Sequence, residues 1–259
     1  WISFFFGGFG HEEHDRKEDF LGAWGFGPGH RGGHYPYNDR RLAGGHAAPP
    51  KAGFGQADTR PEHRPVRGFL SWAEYVRDLA DVLGLERFSL GGNSQGAQTA
   101  AYFAVQNPER VERLALIACG GWNHYLDIPA SSLRPGLPFP QFDGTEESMR
   151  TMLTTIVHRK DTIDDALVAQ RTRDANVQRE SLAAADAWNR RALAEPGIGQ
   201  AQRLVGHLDR LTCPIIYAYG RQDVLSPVEN AYLQEDLLTT LQFFYPDDCG
   251  HQAQTDQPE

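Results

Sequence analysis

The sequence predicts an α/β domain: a mostly parallel central sheet flanked by helices, with a helical segment inserted into it. Three observations predict this. A strand-like run, Glu86 to Leu90, leads through Gly92-Asn93-Ser94-Gln95-Gly96 into a helix-like run, Ala97 to Gln106. Two later strand-like runs, Cys213 to Tyr219 and Leu241 to Tyr245, each end in a polar turn. Between Gly120 and Leu208 the character shifts to a Pro-rich stretch followed by helical segments. A chain of 259 residues fits one such domain with an insertion.

The elements follow in chain order. The first 50 residues do not read as clean strands. A Val/Ile-rich strand is expected just before Lys51-Ala52-Gly53-Phe54-Gly55, but His46-Ala47-Ala48-Pro49-Pro50 stands there. The His- and Gly-rich run from His30 to Pro50 reads as a divergent loop. Helical periodicity runs from Trp72 to Leu83, with Trp72, Tyr75, Val76, Leu79, Val82 and Leu83 on one face. Pro108 ends the helix at Gln106, and Arg113 to Ala118 is the next strand. Pro129 to Pro140 then leads into helices near Glu146–Val157, Asp161–Glu180 and Leu182–Glu195. The expected division is a core of 1–120 and 209–259, with a helical cap of 121–208. The chain begins at Trp1 and stops soon after His251, where a final helix would normally pack; a longer parent protein is expected.

Composition removes several function classes. Net charge is −9 with no basic run, which argues against nucleic-acid binding. The three cysteines, Cys119, Cys213 and Cys249, are widely spaced and form no C-x-x-C, so neither a disulfide framework nor a zinc site is expected. No apolar stretch approaches membrane-spanning length, and Trp1 to Phe6 is too short for a signal peptide. His11-Glu12-Glu13-His14 spaces its histidines three apart, where a helical zinc motif needs four. The expectation is a cytoplasmic protein acting on a small-molecule substrate, with no metal, cofactor, nucleic acid or membrane partner. A homo-oligomer is left open.

The chemistry-bearing residues sit at strand ends. A G-x-S-x-G between strand and helix holds its serine on a tight, strained turn that exposes Oγ above the sheet. Ser94 is therefore the candidate nucleophile. A serine hydroxyl needs a base within hydrogen-bond reach. His251, just past the second late strand, is the candidate base, and Asp223, just past the first, is the acid that orients it. In a parallel sheet these strand ends share one edge. Taken alone, His251 reads as a loop histidine and Asp223 as a turn cap. Asp247 and Asp248 lie too close to His251 in sequence to serve as the acid and read as turn residues. Charge developing on a carbonyl oxygen needs donors. The backbone N–H of Gln95 is one; the N–H of Phe26, in Trp24-Gly25-Phe26-Gly27-Pro28-Gly29, is the candidate second.

The order serine, acid, histidine is that of α/β-hydrolases. Within them, Gly91-Gly92-Asn93-Ser94-Gln95-Gly96-Ala97 resembles the elbow of the meta-cleavage product hydrolases, which split a carbon–carbon bond in dienoates made by aromatic ring fission. Gly25-Phe26-Gly27-Pro28-Gly29 resembles their oxyanion loop, Gly220-Arg221-Gln222-Asp223 their acid turn, and Cys249-Gly250-His251-Gln252-Ala253-Gln254 their histidine loop. The resemblance implies a cofactor-free serine hydrolase with Gly25, Gly27, Asn93 and Gln252 near substrate. For Asn93 the alternative is a turn-stabilising side chain. It also implies a cap arginine on the substrate carboxylate. Arg171 is the best match, with a solvated helix face as its alternative reading and Arg190 as the alternative residue. Gln252 stands where the family has Trp, and Ala97 where it has Gly. A carboxylesterase or lactonase with the same triad is the competing reading, and a ligand-binding receptor on the same fold a third.

Overall fold

The computed structural model describes residues 60–119, 126–195, 197 and 207–257, together with the backbone of two short strands at 4–7 and 46–47. Its strands are β1 (Phe4–Gly7), β2 (His46–Ala47), β3 (Phe88–Asn93), β4 (Val111–Ile117), β5 (Ile215–Ala218) and β6 (Gln242–Phe244). They form one sheet in the order β2-β1-β3-β4-β5-β6. β3 to β6 run parallel, and β1 is antiparallel to both β2 and β3. The fold class expected from the sequence is therefore the one observed.

β3 is buried along its whole length, as a strand covered on both faces should be. The helix behind it, α2 (Gln95–Gln106), is buried from Gly96 through Val105. A helix apolar on every side belongs in the interior. It lies between the sheet and α1 (Phe69–Val82), with Phe88 and Phe103 packed at 5.5 Å and Phe69 stacked on Tyr102 at 6.2 Å. Each such buried aromatic contributes roughly 2–3 kcal/mol. The face of α1 differs from the expected one. Phe69, Trp72, Ala73, Val76 and Ala80 are buried, whereas Val82 is 83% exposed. The helix starts earlier than expected, at Phe69, and its buried face runs from there to Ala80, leaving Val82 in the last turn outside the core.

The amino-terminal region corrects a second expectation. β1 is a Phe-Phe-Phe-Gly run whose phenylalanines suit a strand, whereas β2 is a His-Ala pair at the end of the run that reads as a loop. β1 is organised by its ladder with β3, Phe4 opposite Gly92 and Gly7 opposite Ser89. For β2, pairing to β1 overrides a weak local preference.

Between β4 and β5 lie the helices α3 (Glu146–Ile156), α4 (Asp165–Val177) and α5 (Arg179–Ala194). Their starts are chemically marked. Thr145 accepts a hydrogen bond from the Ser148 N–H, and Asp164 accepts one from the Leu167 N–H. The Asp164 cap is why α4 begins at Asp165 rather than Asp161. Met149, Met152, Leu153, Ile156, Ile163, Val168 and Ala175 form a separate apolar cluster, which Leu225 joins from the loop after β5. Two helices complete the described chain, α6 (Val228–Leu237) and α7 (Ala253–Asp256). No helix among the described residues is long and apolar enough to cross a membrane.

Candidate active site

Ser94 joins β3 to α2 with φ 55 and ψ −119, a conformation that costs a non-glycine residue about 1–3 kcal/mol. The surroundings enforce it. A Cβ on Gly92 would enter the Gly96 carbonyl and come within 2.6 Å of the Ala97 nitrogen, so only glycine allows the turn to close. The Ser94 N–H donates to the Ile117 carbonyl at 2.7 Å, tying the turn to the end of β4. The Ser94 carbonyl accepts the first helical bond, from the Gln98 N–H at 3.1 Å. The Gln95 N–H is one of the first-turn donors that a helix leaves without an intrahelical partner. It faces the same end of the sheet as Ser94, where the helix dipole favours negative charge.

The other two candidate residues come from loops that are zipped together. After β5 the chain turns at Gly220, where a Cβ would collide with the carbonyls of Cys249 and Gly250. Gln222 then bonds Cys249 twice: its N–H donates to the Cys249 carbonyl at 2.8 Å, and its Oε1 accepts from the Cys249 N–H at 2.9 Å. This brings Asp223 to His251. Asp223 Oδ2 lies 2.7 Å from His251 Nδ1, and its side chain is fully enclosed. Oδ1 accepts from the N–H groups of Leu225 at 2.9 Å and Ser226 at 3.0 Å. Asp223 is thus both a turn cap and the partner of His251. With Nδ1 engaged, Nε2 is the ring nitrogen left for a reacting group.

Asn93 links these loops to the serine turn. It is 3% exposed, and its amide nitrogen donates to the His251 carbonyl at 2.8 Å and the Ile117 carbonyl at 3.4 Å. Between substrate contact and turn stabilisation, these bonds favour the second. Gln252 is buried too, and its carbonyl accepts from the N–H groups of Thr255 and Asp256. A polar side chain is therefore enclosed beside the histidine. Asp247 pairs with Arg221 at 3.0 Å, and Asp248 has φ 52, as expected of turn residues.

Arg171 on α4 is 8% exposed, while Arg173, Arg179 and Arg190 are exposed. This removes the solvated-face reading of Arg171. Burial raises the nearby Asp174 carboxyl, and the charges of Arg171 and Arg173 hold it back. Phe26, Gly25 and Gly27, with the rest of the Gly-rich loop, lie outside the described residues, as do His11 and His14. Sequence reasoning missed Asp256. It is fully buried and accepts hydrogen bonds from the N–H groups of Gly250, His158 and Arg159. Its only signal was an acidic residue five positions beyond His251 in a polar stretch. Beside it, Cys249 is pushed up to about 12, by burial first and then by the charges of Asp256 and Asp223.

The model of the alpha/beta hydrolase fold family matches residues 52–258. The chain belongs to that family. It is 28% identical over 191 residues to the 2-hydroxy-6-oxononadienedioate/2-hydroxy-6-oxononatrienedioate hydrolase of Paraburkholderia phymatum, covering 72% of this chain and 64% of that protein. It is 25% identical over 196 residues to the 2-hydroxy-6-oxo-6-phenylhexa-2,4-dienoate hydrolase of Comamonas testosteroni, covering 74% and 66%. The match thus spans slightly less than two thirds of the length of these relatives. Among solved structures, the 2-hydroxy-6-oxo-6-phenylhexa-2,4-dienoate hydrolase of Rhodococcus sp. strain RHA1 superposes with a TM-score of 0.64 at 22% identity, covering 87% of this chain and 82% of that one. That likeness supports the α/β-hydrolase fold; the resemblance to meta-cleavage product hydrolases rests on the sequence relatives.

Proposed function

We propose that this α/β-hydrolase is serine-dependent, with Ser94 as nucleophile, His251 as base and Asp223 as the acid that orients it. The observation that carries the reading is the 2.7 Å contact between His251 Nδ1 and the enclosed carboxylate of Asp223, at the same sheet edge as the strained Ser94. Asp223 holds the imidazole in the tautomer that leaves Nε2 free to accept the Ser94 proton, and stabilises the imidazolium that forms. The Gln95 N–H donates to the oxygen on which charge develops, with Phe26 as the proposed second donor.

The substrate proposed is a 2-hydroxy-6-oxo-dienoate made by aromatic ring fission, because the relatives named above are hydrolases of such acids. Its dienol first becomes the keto form. Hydrolysis then breaks the carbon–carbon bond beside the 6-oxo group: the hydroxyl of water ends on that carbonyl carbon, and a proton on the carbon that leaves. Residues 121–208 serve as a cap that excludes water from this step. Arg171, buried in that segment, is proposed to hold the substrate carboxylate, for which a guanidinium fork is suited. The enclosed Gln252, in place of an aromatic wall, favours a second reading: ester or lactone hydrolysis by the same three residues.

One absorbance time course separates the readings. A yellow ring-fission dienoate and a p-nitrophenyl ester are mixed in turn with the wild-type protein and Ser94→Ala. Fast bleaching of the dienoate, lost by a factor on the order of 10⁴–10⁶ in Ser94→Ala, is expected. Arg171→Ala should cripple that reaction and spare the ester. Fast ester cleavage with an unchanged dienoate would overturn the carbon–carbon assignment and leave the triad standing.

A further inference from the structure

Among the described residues two carboxylates are buried, Asp223 and Asp256. The proposed mechanism uses the first and has no role for the second. Yet Asp256 is fully buried, and its side chain joins the histidine loop to the helical insertion. Its Oδ2 accepts from the Gly250 N–H at 2.8 Å and from the His158 N–H at 3.0 Å. Its Oδ1 accepts from the Arg159 N–H at 2.7 Å. Gly250 immediately precedes His251, while His158 and Arg159 follow the end of α3 in the helical insertion. The next bond along the seam joins the same two segments directly: the His251 N–H donates to the carbonyl of Ile156, the last residue of α3, at 3.0 Å.

One side chain therefore fastens the residue before the histidine to the insertion. A carboxylate suits the task because it offers acceptors only, on two oxygens, to three backbone donors. The Lys160 ammonium, which donates to the carbonyls of Thr154 and Val157, adds a favourable charge beside Asp256. His251 has a fixed ring partner in Asp223, so the remaining freedom of the imidazole is where its backbone sits. Ile156 holds its N–H, Asn93 its carbonyl and Asp256 the preceding Gly250, which together restrict that freedom.

We infer that Asp256 is a positioning residue for His251: its buried carboxylate clamps the histidine loop to the end of α3, so that the helical insertion helps set the aim of the imidazole at Ser94. The inference rests on the Ser94–Asp223–His251 reading. Groups that orient a catalytic side chain typically change rate by about 10–100-fold when removed, and a misplacement near 1 Å has an effect of about 10²-fold.

The test compares full-length wild type, Asp256→Asn and Asp256→Glu by the rate of fluorophosphonate labelling at Ser94, with Ser94→Ala as the unlabelled control and thermal melting to confirm folding. Labelling needs no knowledge of the substrate and depends on the base. Asn keeps the shape but offers one acceptor oxygen; Glu keeps the charge but shifts both oxygens by a methylene. The expected result is labelling slower by about 10–100-fold in Asp256→Asn, with Asp256→Glu intermediate. Where a substrate turns over, kcat should fall by the same factor with KM changed less than about threefold. Wild-type labelling rates in folded Asp256→Asn would overturn the inference and leave the triad intact. If Asp256→Asn does not fold, Asp256→Glu decides: a wild-type rate overturns the inference. A wild type that does not label at all would sink the triad reading itself, and this inference with it.

Discussion

The serine turn and the histidine loop reach the same edge of the sheet by opposite means. The turn is local. Apart from the Ser94 N–H bond to Ile117, its shape is set within residues 91–97, by the φ of Ser94, the absence of a Cβ at Gly92 and the start of α2. The histidine loop is assembled from distant pieces. Gln222 bonds Cys249, Asn93 holds the His251 carbonyl, Ile156 holds the His251 N–H, and Asp256 holds Gly250. The difference teaches where each half is vulnerable. The serine turn should fail as a unit when its own backbone is obstructed, whereas the histidine loop should lose alignment in steps as remote groups are removed.

The sharpest way to break this contrast is Gly92→Ala. The added Cβ meets rigid backbone at Gly96 and Ala97, so nothing flexible can yield. A loss of about 3–5 kcal/mol is expected, roughly 10 °C or more in Tm, or failure to fold. A well-folded variant with wild-type Tm would show that the turn is not sterically closed.

Asn93→Ala comes next. It removes the donor to the His251 and Ile117 carbonyls while leaving the serine turn's backbone free to form. About 1–3 kcal/mol of stability should go, with Ser94 labelling slowed about tenfold. Unchanged labelling in a destabilised variant would mean that Asn93 supports the fold without aiming the histidine.

Thr145→Ala probes the far end of the same support. Losing the cap on α3 should lower stability by about 1 kcal/mol with labelling unchanged, measured by melting and by fluorophosphonate kinetics side by side. A slowed rate would instead mean that the whole of α3, and not only its last turn, sets the loop.

Alkaline titration should give the smallest effect at assay pH. The folded Cys249 thiol is pushed up to about 12, against an ordinary value near 9, so the unfolded chain loses its proton first. Stability from this group is therefore fully present below pH 9 and declines as pH climbs from 9 toward 12. Buried Tyr217 and Tyr219, raised well above the usual phenol range, act in the same direction. Denaturant midpoints at pH 8 and pH 10 check the sign, and slow alkylation of Cys249 at pH 8 checks the cause. A midpoint that rises with pH would contradict it.

Much of this was legible before any coordinates. The strand–turn–helix around Ser94, helices near Glu146, Asp161 and Leu182 to within a few residues, and the placement of Asp223 and His251 at strand ends all follow from local pattern. Other features were not. Val82 looked like a core residue, yet it lies exposed at the last position of α1. His46-Ala47 carries no strand propensity of its own and becomes a strand by pairing with β1. Asn93 and Asp256 are polar residues whose partners lie far along the chain, so no window of neighbouring sequence contains their role.

By itself the sequence determined the fold class and the serine turn, and placed Asp223 and His251 just past strand ends, because hydrophobic period, glycine sterics and strand-end turns act over a few residues at a time. Only the tertiary structure decided how the histidine is aimed, which face of α1 is buried, and that Arg171 and Asp256 are enclosed. Those outcomes depend on desolvation and on hydrogen bonds between segments as much as 158 residues apart, which exist only once the chain has closed on itself.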